Sequence, residues 1–296
     1  MDTKLAVRRL LNKIINMNKK KVIGVDVGGT KTHLALIEDG KVIKKSRILT
    51  DAYGTQDAVL DDLKNEIGKL LDDSVQGIGI GVPGLVDRES GVVFNVMNIP
   101  AWKNVPVKSI LEQHFGITVE VGNDANSFAL GEKHYGKAKP FSNVVCICLG
   151  TGVGAGVFVN GNLYTGNQSI AGEFCGIRYL DADFETYCSG KFFNQIYGHD
   201  ALYFAKMAEN GNANAKELFH KFGYNVGQLI QTVLFSYGPQ AIILGGSLSK
   251  SFSIFKTGMQ ESLATFPHKN VLNSTMIDVS DNDDIPVLGA ATLLNI

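Results

Sequence analysis

Val22–Ile43 reads VIGVDVGGTKTHLALIEDGKVI, and Val145–Tyr164 reads VCICLGTGVGAGVFVNGNLY. Each is an apolar strand, a glycine-rich turn containing Gly-Thr, a second apolar strand and a tight hairpin signal. The Gly-Thr pairs are Gly29-Thr30 and Gly150-Thr151. The hairpin signals are Asp39-Gly40 and Asn160-Gly161, and both features recur with one common offset. Such a repeat predicts two similar half-molecules, each with a backbone turn able to hold part of a polyphosphate. A nucleotide-using enzyme is the leading expectation.

Two familiar nucleotide-binding turns fail on context. Gly24 and Gly29 have the spacing of a P-loop, but Thr30 stands where its lysine belongs, and a strand follows instead of a helix. A dinucleotide-binding turn also needs a helix after its glycines, whereas Gly156 leads into GVFVNG, a strand and a hairpin. Both turns therefore sit between antiparallel strands. A ligand-free glycine hairpin is the competing reading for either turn alone, and the repeat argues against it. Asp26 lies two residues before Gly28, at the end of an apolar strand. A carboxylate there suits Mg²⁺ held through waters beside phosphates better than it suits a core; a strand-end turn cap is the alternative. Lys31 can neutralise phosphate charge, or be an ordinary exposed turn lysine.

The rest of the chain bounds the answer. Its 296 residues suit two domains with sizeable cores, and 45% apolar with 19% charged residues is ordinary globular composition. A formal net charge of −1 gives no reason to expect nucleic acid or an anionic membrane as partner. No apolar run is long enough to span a bilayer and no signal-peptide pattern opens the chain. Reduced thiols and a cytoplasmic location are the expectation. Lys4 to Lys21 form a basic stretch with Leu5, Leu10, Leu11, Ile14 and Ile15 at helical spacing, read as a docked amphipathic extension over residues 1–20. Residues 21–125 read as a first lobe and 126–296 as a second. The final helix, Pro286–Leu294, is a candidate to pack back on the first lobe. Strands alternate with helices at Gln56–Leu71, Ser109–Phe115, Ala125–Gly136, Ser189–Tyr197 and Ala213–Phe235, giving an α/β fold in two lobes.

The motifs DVGGTKT, GVPGLVD, NIPAWKNVPV, GNDANSFALGE, LGTGVGAGVFVNGNLYTG, AGEF and LGGSL together resemble the ROK family of sugar kinases and sugar-responsive repressors. They occur in the family's order from about Lys20 to the C-terminus. The resemblance implies the two-lobed, duplicated ribonuclease-H-like fold of the actin, hexokinase and Hsp70 group, with the active site in the interlobe cleft. It implies that Asp124 is the catalytic base, touching the sugar hydroxyl that attacks the γ-phosphate of ATP. Asp124 also stands between a strand and a helix, where an N-cap is the plain structural reading. By the same resemblance Asn98, Asn123, Glu173 and Glu185 bind sugar hydroxyls and Gly84 lies against the sugar. The turns Gly28, Gly29, Thr30, and Gly150, Thr151, Gly152, Gly154, hold the nucleotide phosphates, and Gly245, Gly246 and Ser247 border the adenosine. ATP and Mg²⁺ are the implied cofactors and a homodimer the implied assembly.

The departures from the family pattern are informative. Gly176 stands where the family has a histidine that touches the sugar and binds zinc. A zinc loop of the C-x-C-G-x-x-G-C-x-E type should follow, but the chain runs Ile177, RYLDADF and then Glu185. Cys175 and Cys188 cannot form a four-ligand site by themselves, so no structural zinc is expected. Family repressors carry a helix-turn-helix domain ahead of the first glycine turn, and about twenty residues precede it here, too few for one. The sequence reading is thus an ATP-dependent kinase acting on the 6-hydroxyl of an aldohexose, glucose first. N-acetylglucosamine or N-acetylmannosamine is the runner-up, and a catalytically silent sugar sensor the reading from another class.

Overall fold

Both hairpin dipeptides adopt left-handed backbone: Asp39 and Gly40 at φ 47° and 75°, Asn160 and Gly161 at φ 51° and 80°. Two-residue hairpins require this, because only that local twist matches the twist of the flanking strands. The computed structural model describes residues 20–294. The amphipathic reading of the N-terminal extension therefore falls, through residue 19, outside the described residues.

The chain forms two compact units, one running to Ser127 and resuming at Asp284, the other spanning Phe128–Asp283. In the first, β1 (Lys21–Val27), β2 (Lys31–Glu38) and β3 (Lys41–Leu49) form an antiparallel meander. The helix α1 (Gln56–Gly68), capped by the Thr55 hydroxyl, leads to β4 (Val75–Val82), parallel to β1. Val59, Leu60, Leu63 and Ile67 of α1 are buried in the first core. After α2 (Val107–Phe115) comes β5 (Thr118–Asn123), parallel to β4, giving the order β3-β2-β1-β4-β5. The helix α3 (Asp124–Tyr135) follows directly, and the boundary between units falls within it.

The second unit repeats the plan. β6 (Val144–Leu149), β7 (Val153–Val159) and β8 (Asn162–Tyr164) form the meander. The helices α4 (Gly190–Tyr197) and α5 (Ala213–Tyr237) precede β9 (Ala241–Gly245), which is parallel to β6. The helix α6 (Phe252–Ala264) then leads to β10 (Met276–Val279), parallel to β9, so the order is β8-β7-β6-β9-β10. Two sheets with the same order and polarity make this a duplicated α/β fold. Phe192, Phe193, Phe219, Phe222 and Phe255 pack edge-on or tilted in the second core, the arrangement aromatic quadrupoles favour.

The final helix, α7 (Ile285–Thr292), packs in the first unit against Ala35 and Ile37 of β2. Glycines permit its close approach to the sheet. A Cβ on Gly24 would stand 2.0 Å from the Val287 carbonyl oxygen, and one on Gly79 2.0 Å from that of Ala290. The run Gly77-Ile-Gly79-Ile-Gly81 thus presents a side-chain-free face by the period-2 geometry of a strand. Among the described residues no helix is long and apolar enough to cross a membrane.

Candidate active site

The first glycine turn joins the Val27–Thr32 pair of β1 and β2 and is closed by a hydrogen bond from the Gly28 amide to the Lys31 carbonyl, 3.0 Å. Gly29 lies against Asn98: a Cβ there would stand 2.6 Å from the Asn98 Cβ and 3.3 Å from its carbonyl oxygen. Thr30, Lys31 and Asn98 are exposed. Asp26, half-buried near the end of β1, pairs with Gly81 of β4 and His33 of β2. Desolvation by burial is the one cause that pushes its carboxyl up, to about 6. The charged form dominates at neutral pH, and among the described residues no cation pairs with it. A carboxylate in that condition fits a hydrated divalent cation, which supplies the missing charge.

The end of β5 forms a second corner. The Asn123 amide donates through Nδ2 to the Gly84 carbonyl at 3.1 Å, and its Oδ1 accepts the Asn126 amide at 3.0 Å. Asn123, not Asp124, therefore supplies the side-chain cap of α3. Asp124 is the first helical residue, half-buried, with Oδ1 accepting its neighbour Ala125's amide at 2.8 Å. Gly84 takes φ +85°, open to glycine at little cost. Gly81 runs beneath this corner, since a Cβ on it would lie 2.9 Å from Ser127 Oγ and 3.4 Å from Asp124 Cα. The segment 94–98 touches Gly84 at one end, through the Phe94 carbonyl, and Gly29 at the other, through Asn98. The first unit thereby gathers the glycine turn, Asn98, Gly84, Asn123 and Asp124 along one path of contacts. Asn126, which the sequence reading passed over, is 5% exposed with its Oδ1 lacking a partner.

The second turn is braced differently. The Gly150 amide donates to the Gly152 carbonyl at 2.9 Å, and the Gly190 amide to the Gly150 carbonyl at 2.8 Å. Glu185 Oε2 accepts the Val153 amide at 2.8 Å, and Oε1 takes an ion pair from Lys191 at 2.9 Å. Both oxygens of Glu185 are thus engaged at the turn, leaving only their remaining lone pairs for a ligand. Ser247 Oγ faces Gly150, at 3.8 Å from where a Cβ would be, and Gly246, at φ +85°, sits against the Leu149 carbonyl. Gly245 lies on the Phe128 ring, and Gly154 pairs with Cys148 across β6 and β7. Glu173 is exposed and its Oε2 accepts the Cys175 thiol at 3.3 Å. Burial, then the Glu173 charge, pushes that thiol up to about 12.

The segment in place of a zinc loop is held by its own packing. Arg178–Tyr179 pairs with Ala182–Asp183 in a small hairpin. The Tyr179 ring stacks on Phe184 at 4.6 Å and 12°, and its hydroxyl donates to Asn225 Oδ1 at 3.0 Å. Cys188 is buried in the second core, where desolvation raises its thiol well above the ordinary value. Among the described residues no three His, Cys, Asp or Glu side chains gather in metal-binding geometry.

A duplicated sheet with a glycine turn at each repeat is the architecture of the actin- and hexokinase-like fold. Residues 22–295 match the sequence model of the ROK family, and the chain belongs to that family. A glucokinase of Thermotoga maritima is 30% identical over 94% of this chain and 98% of its own length. The xylose repressor of Bacillus subtilis is 26% identical over 97% of this chain and 80% of its own. In structure, a ROK family glucokinase from Streptomyces griseus, crystallised with glucose and AMPPNP, superposes with a TM-score of 0.80 at 24% identity. That match covers 92% of this chain and 98% of the glucokinase, and it shows the fold.

Proposed function

We propose that this protein is an ATP- and Mg²⁺-dependent hexokinase that phosphorylates the 6-hydroxyl of an aldohexose, glucose first. The observation that carries the reading is the contact of Gly29 with Asn98, because a turn suited to phosphate meets a side chain suited to sugar hydroxyls within one unit. The full-length likeness to the Thermotoga glucokinase supports it.

In this reading Asn98, Asn123, Glu173 and Glu185 bind sugar hydroxyls, and Gly84 leaves room for the ring. Asp124 accepts the proton of the 6-hydroxyl as its oxygen bonds to the γ-phosphorus; the bond from that phosphorus to the bridging oxygen breaks and ADP leaves. Amides of Gly28, Gly29 and Thr30 and of Gly150, Thr151, Gly152 and Gly154 hold the phosphates, with Lys31 adding positive charge. Gly245, Gly246 and Ser247 border the adenosine. Asp26 would hold Mg²⁺ through waters, and the ion would supply positive charge beside the phosphates. Asp124 needs no large proton affinity of its own, since phosphoryl transfer is helped mostly by positioning and charge. The reading includes a cytoplasmic homodimer that engages neither nucleic acid nor membrane.

One observation favours the runner-up substrates, N-acetylglucosamine and N-acetylmannosamine. A Cβ on Gly176 would meet nothing within 4 Å, so this position leaves open space instead of a histidine. The Bacillus repressor likeness favours the silent sensor. A coupled ADP-release assay with Mg²⁺-ATP against hexoses and N-acetylhexosamines separates all three. Sugar-dependent turnover with the highest kcat/KM for glucose is the expected result. A higher value for an N-acetylhexosamine moves the substrate, and saturable sugar binding with no turnover makes the protein a sensor.

A further inference from the structure

The second glycine turn carries a charge problem that a phosphate site has to solve. Glu185 places a carboxylate 2.8 Å from the Val153 amide, and a Cβ on Gly152 would stand 3.0 Å from the same oxygen. Negative charge so close to a turn repels phosphate oxygens. Lys191 stands at this point. Its Nζ is 2.9 Å from Glu185 Oε1, and its side chain is 35% exposed, so the ammonium pairs with the acid while remaining open to a ligand. Its backbone is fixed to the turn as well. The preceding residue, Gly190, donates to the Gly150 carbonyl at 2.8 Å, and the Ser189 hydroxyl accepts the Lys191 amide at 3.1 Å. The Thr151 and Gly152 amides have no protein partner among the described residues, which leaves two donors beside the cation.

We infer that Lys191 is a phosphate ligand of the second turn, its ammonium bridging Glu185 and a phosphoryl oxygen of a bound nucleoside polyphosphate. An ammonium with three donors serves both partners at once. The inference rests on the sugar-kinase reading and adds a residue to its nucleotide site.

Titration calorimetry of the full-length protein with adenosine, ADP and AMPPNP, in Mg²⁺, tests it. Lys191→Met is expected to weaken ADP and AMPPNP by about 10-fold or more, the scale of one charge-assisted contact, and to leave adenosine within about 2-fold. Lys191→Arg keeps most of the affinity, because it keeps the charge. Lys221→Met, which removes an equal charge from the exposed side of α5, leaves all three ligands unchanged. The double variant Glu185→Gln with Lys191→Met separates contact from masking, since it removes the uncompensated acid. It is expected to stay weak for ADP; recovery of the original affinity would mean that Lys191 only screens Glu185, and the assignment fails. Unchanged ADP affinity in Lys191→Met overturns the inference alone. Absence of nucleotide binding by the unaltered protein overturns the kinase reading and the inference together.

Discussion

Near the turn end of β1, Asp26 lies opposite Gly81 of β4; at the same place in the second sheet, Cys148 of β6 lies opposite Gly245 of β9. Both residues are the last but one of their strands and both neighbour a glycine turn. One half thus keeps a desolvated acid where the other keeps a thiol. The carboxylate of the second turn comes instead from Glu185, already neutralised by Lys191. The turns also differ in room. The first is filled by Asn98 at Gly29, whereas Gly150 has only Ser247 Oγ nearby, at 3.8 Å from a Cβ. Duplication preserved strand order and polarity, and the chemistry diverged at the ends of the strands. The first turn stands beside a desolvated acid and against Asn98, the second beside a carboxylate already paired with a lysine.

The sharpest way to break this asymmetry compares the acids that follow the fifth strand of each sheet. Asp124 opens α3 beyond β5, and Asp284 precedes α7 beyond β10, where it pairs with Lys45. Asp124→Asn should keep sugar binding and lower kcat by at least about 10²-fold, the usual scale for a general base. Asp284→Asn should leave kcat within about 2-fold. Equal losses in steady-state kinetics would remove the distinction between the two strand-end acids.

Asp26 offers the next largest effect, and it runs against function. Its folded carboxyl titrates at about 6, against 3.8 for the ordinary group. The native state therefore binds the proton more tightly than the unfolded chain. Stability is highest below the lower value and falls as pH rises toward the upper one, by about 3 kcal/mol in all. Asp26→Asn should raise stability toward neutral pH by up to that amount, with the gain vanishing below pH 4. The same change should abolish stabilisation by Mg²⁺-ATP. Urea unfolding at pH 3.5 and pH 8 reads the first effect; a variant no more stable at pH 8 would show that Asp26 carries no desolvation cost.

The smallest effect concerns the glycines. Gly29→Ala drives a Cβ into Asn98 and should cost about 1–3 kcal/mol in thermal unfolding, as overpacking does. Gly150→Ala meets no close atom and should change stability by less than about 1 kcal/mol. Similar costs at both would mean that the turns are equally packed.

Much of the fold was legible because its signals are local. The Asp39-Gly40 and Asn160-Gly161 hairpins, the strand after each turn and the apolar spacing of α1 depend on neighbours in sequence. The candidate roles of Asp124, Asn98 and Glu173 came only by resemblance, since nothing about one aspartate beside a helix distinguishes a base from a cap. There the structure divided the work: Asn123 caps α3, and Asp124 begins it. Lys191 was missed because its meaning lies in Glu185 and Gly150, and one lysine in a Ser-Gly-Lys run carries no local signal. The hairpin Arg178–Asp183 was equally silent, since Tyr179 finds its partner Asn225 across the second core.

By itself the sequence determined the duplication, the antiparallel setting of the two glycine turns and the family, because each rests on pattern within short stretches. The tertiary structure decided what those stretches meet. Glycine at 77, 79 and 81 looks like weakness in a strand until α7 lies over Gly79 with its carbonyl where a Cβ would be. Asp26 becomes a poised acid only when burial strips its water, and Glu185 becomes a brace only when Val153 and Lys191 close on it. Desolvation and close approach depend on every surrounding atom, and those atoms are brought together by folding and not by the order of the chain.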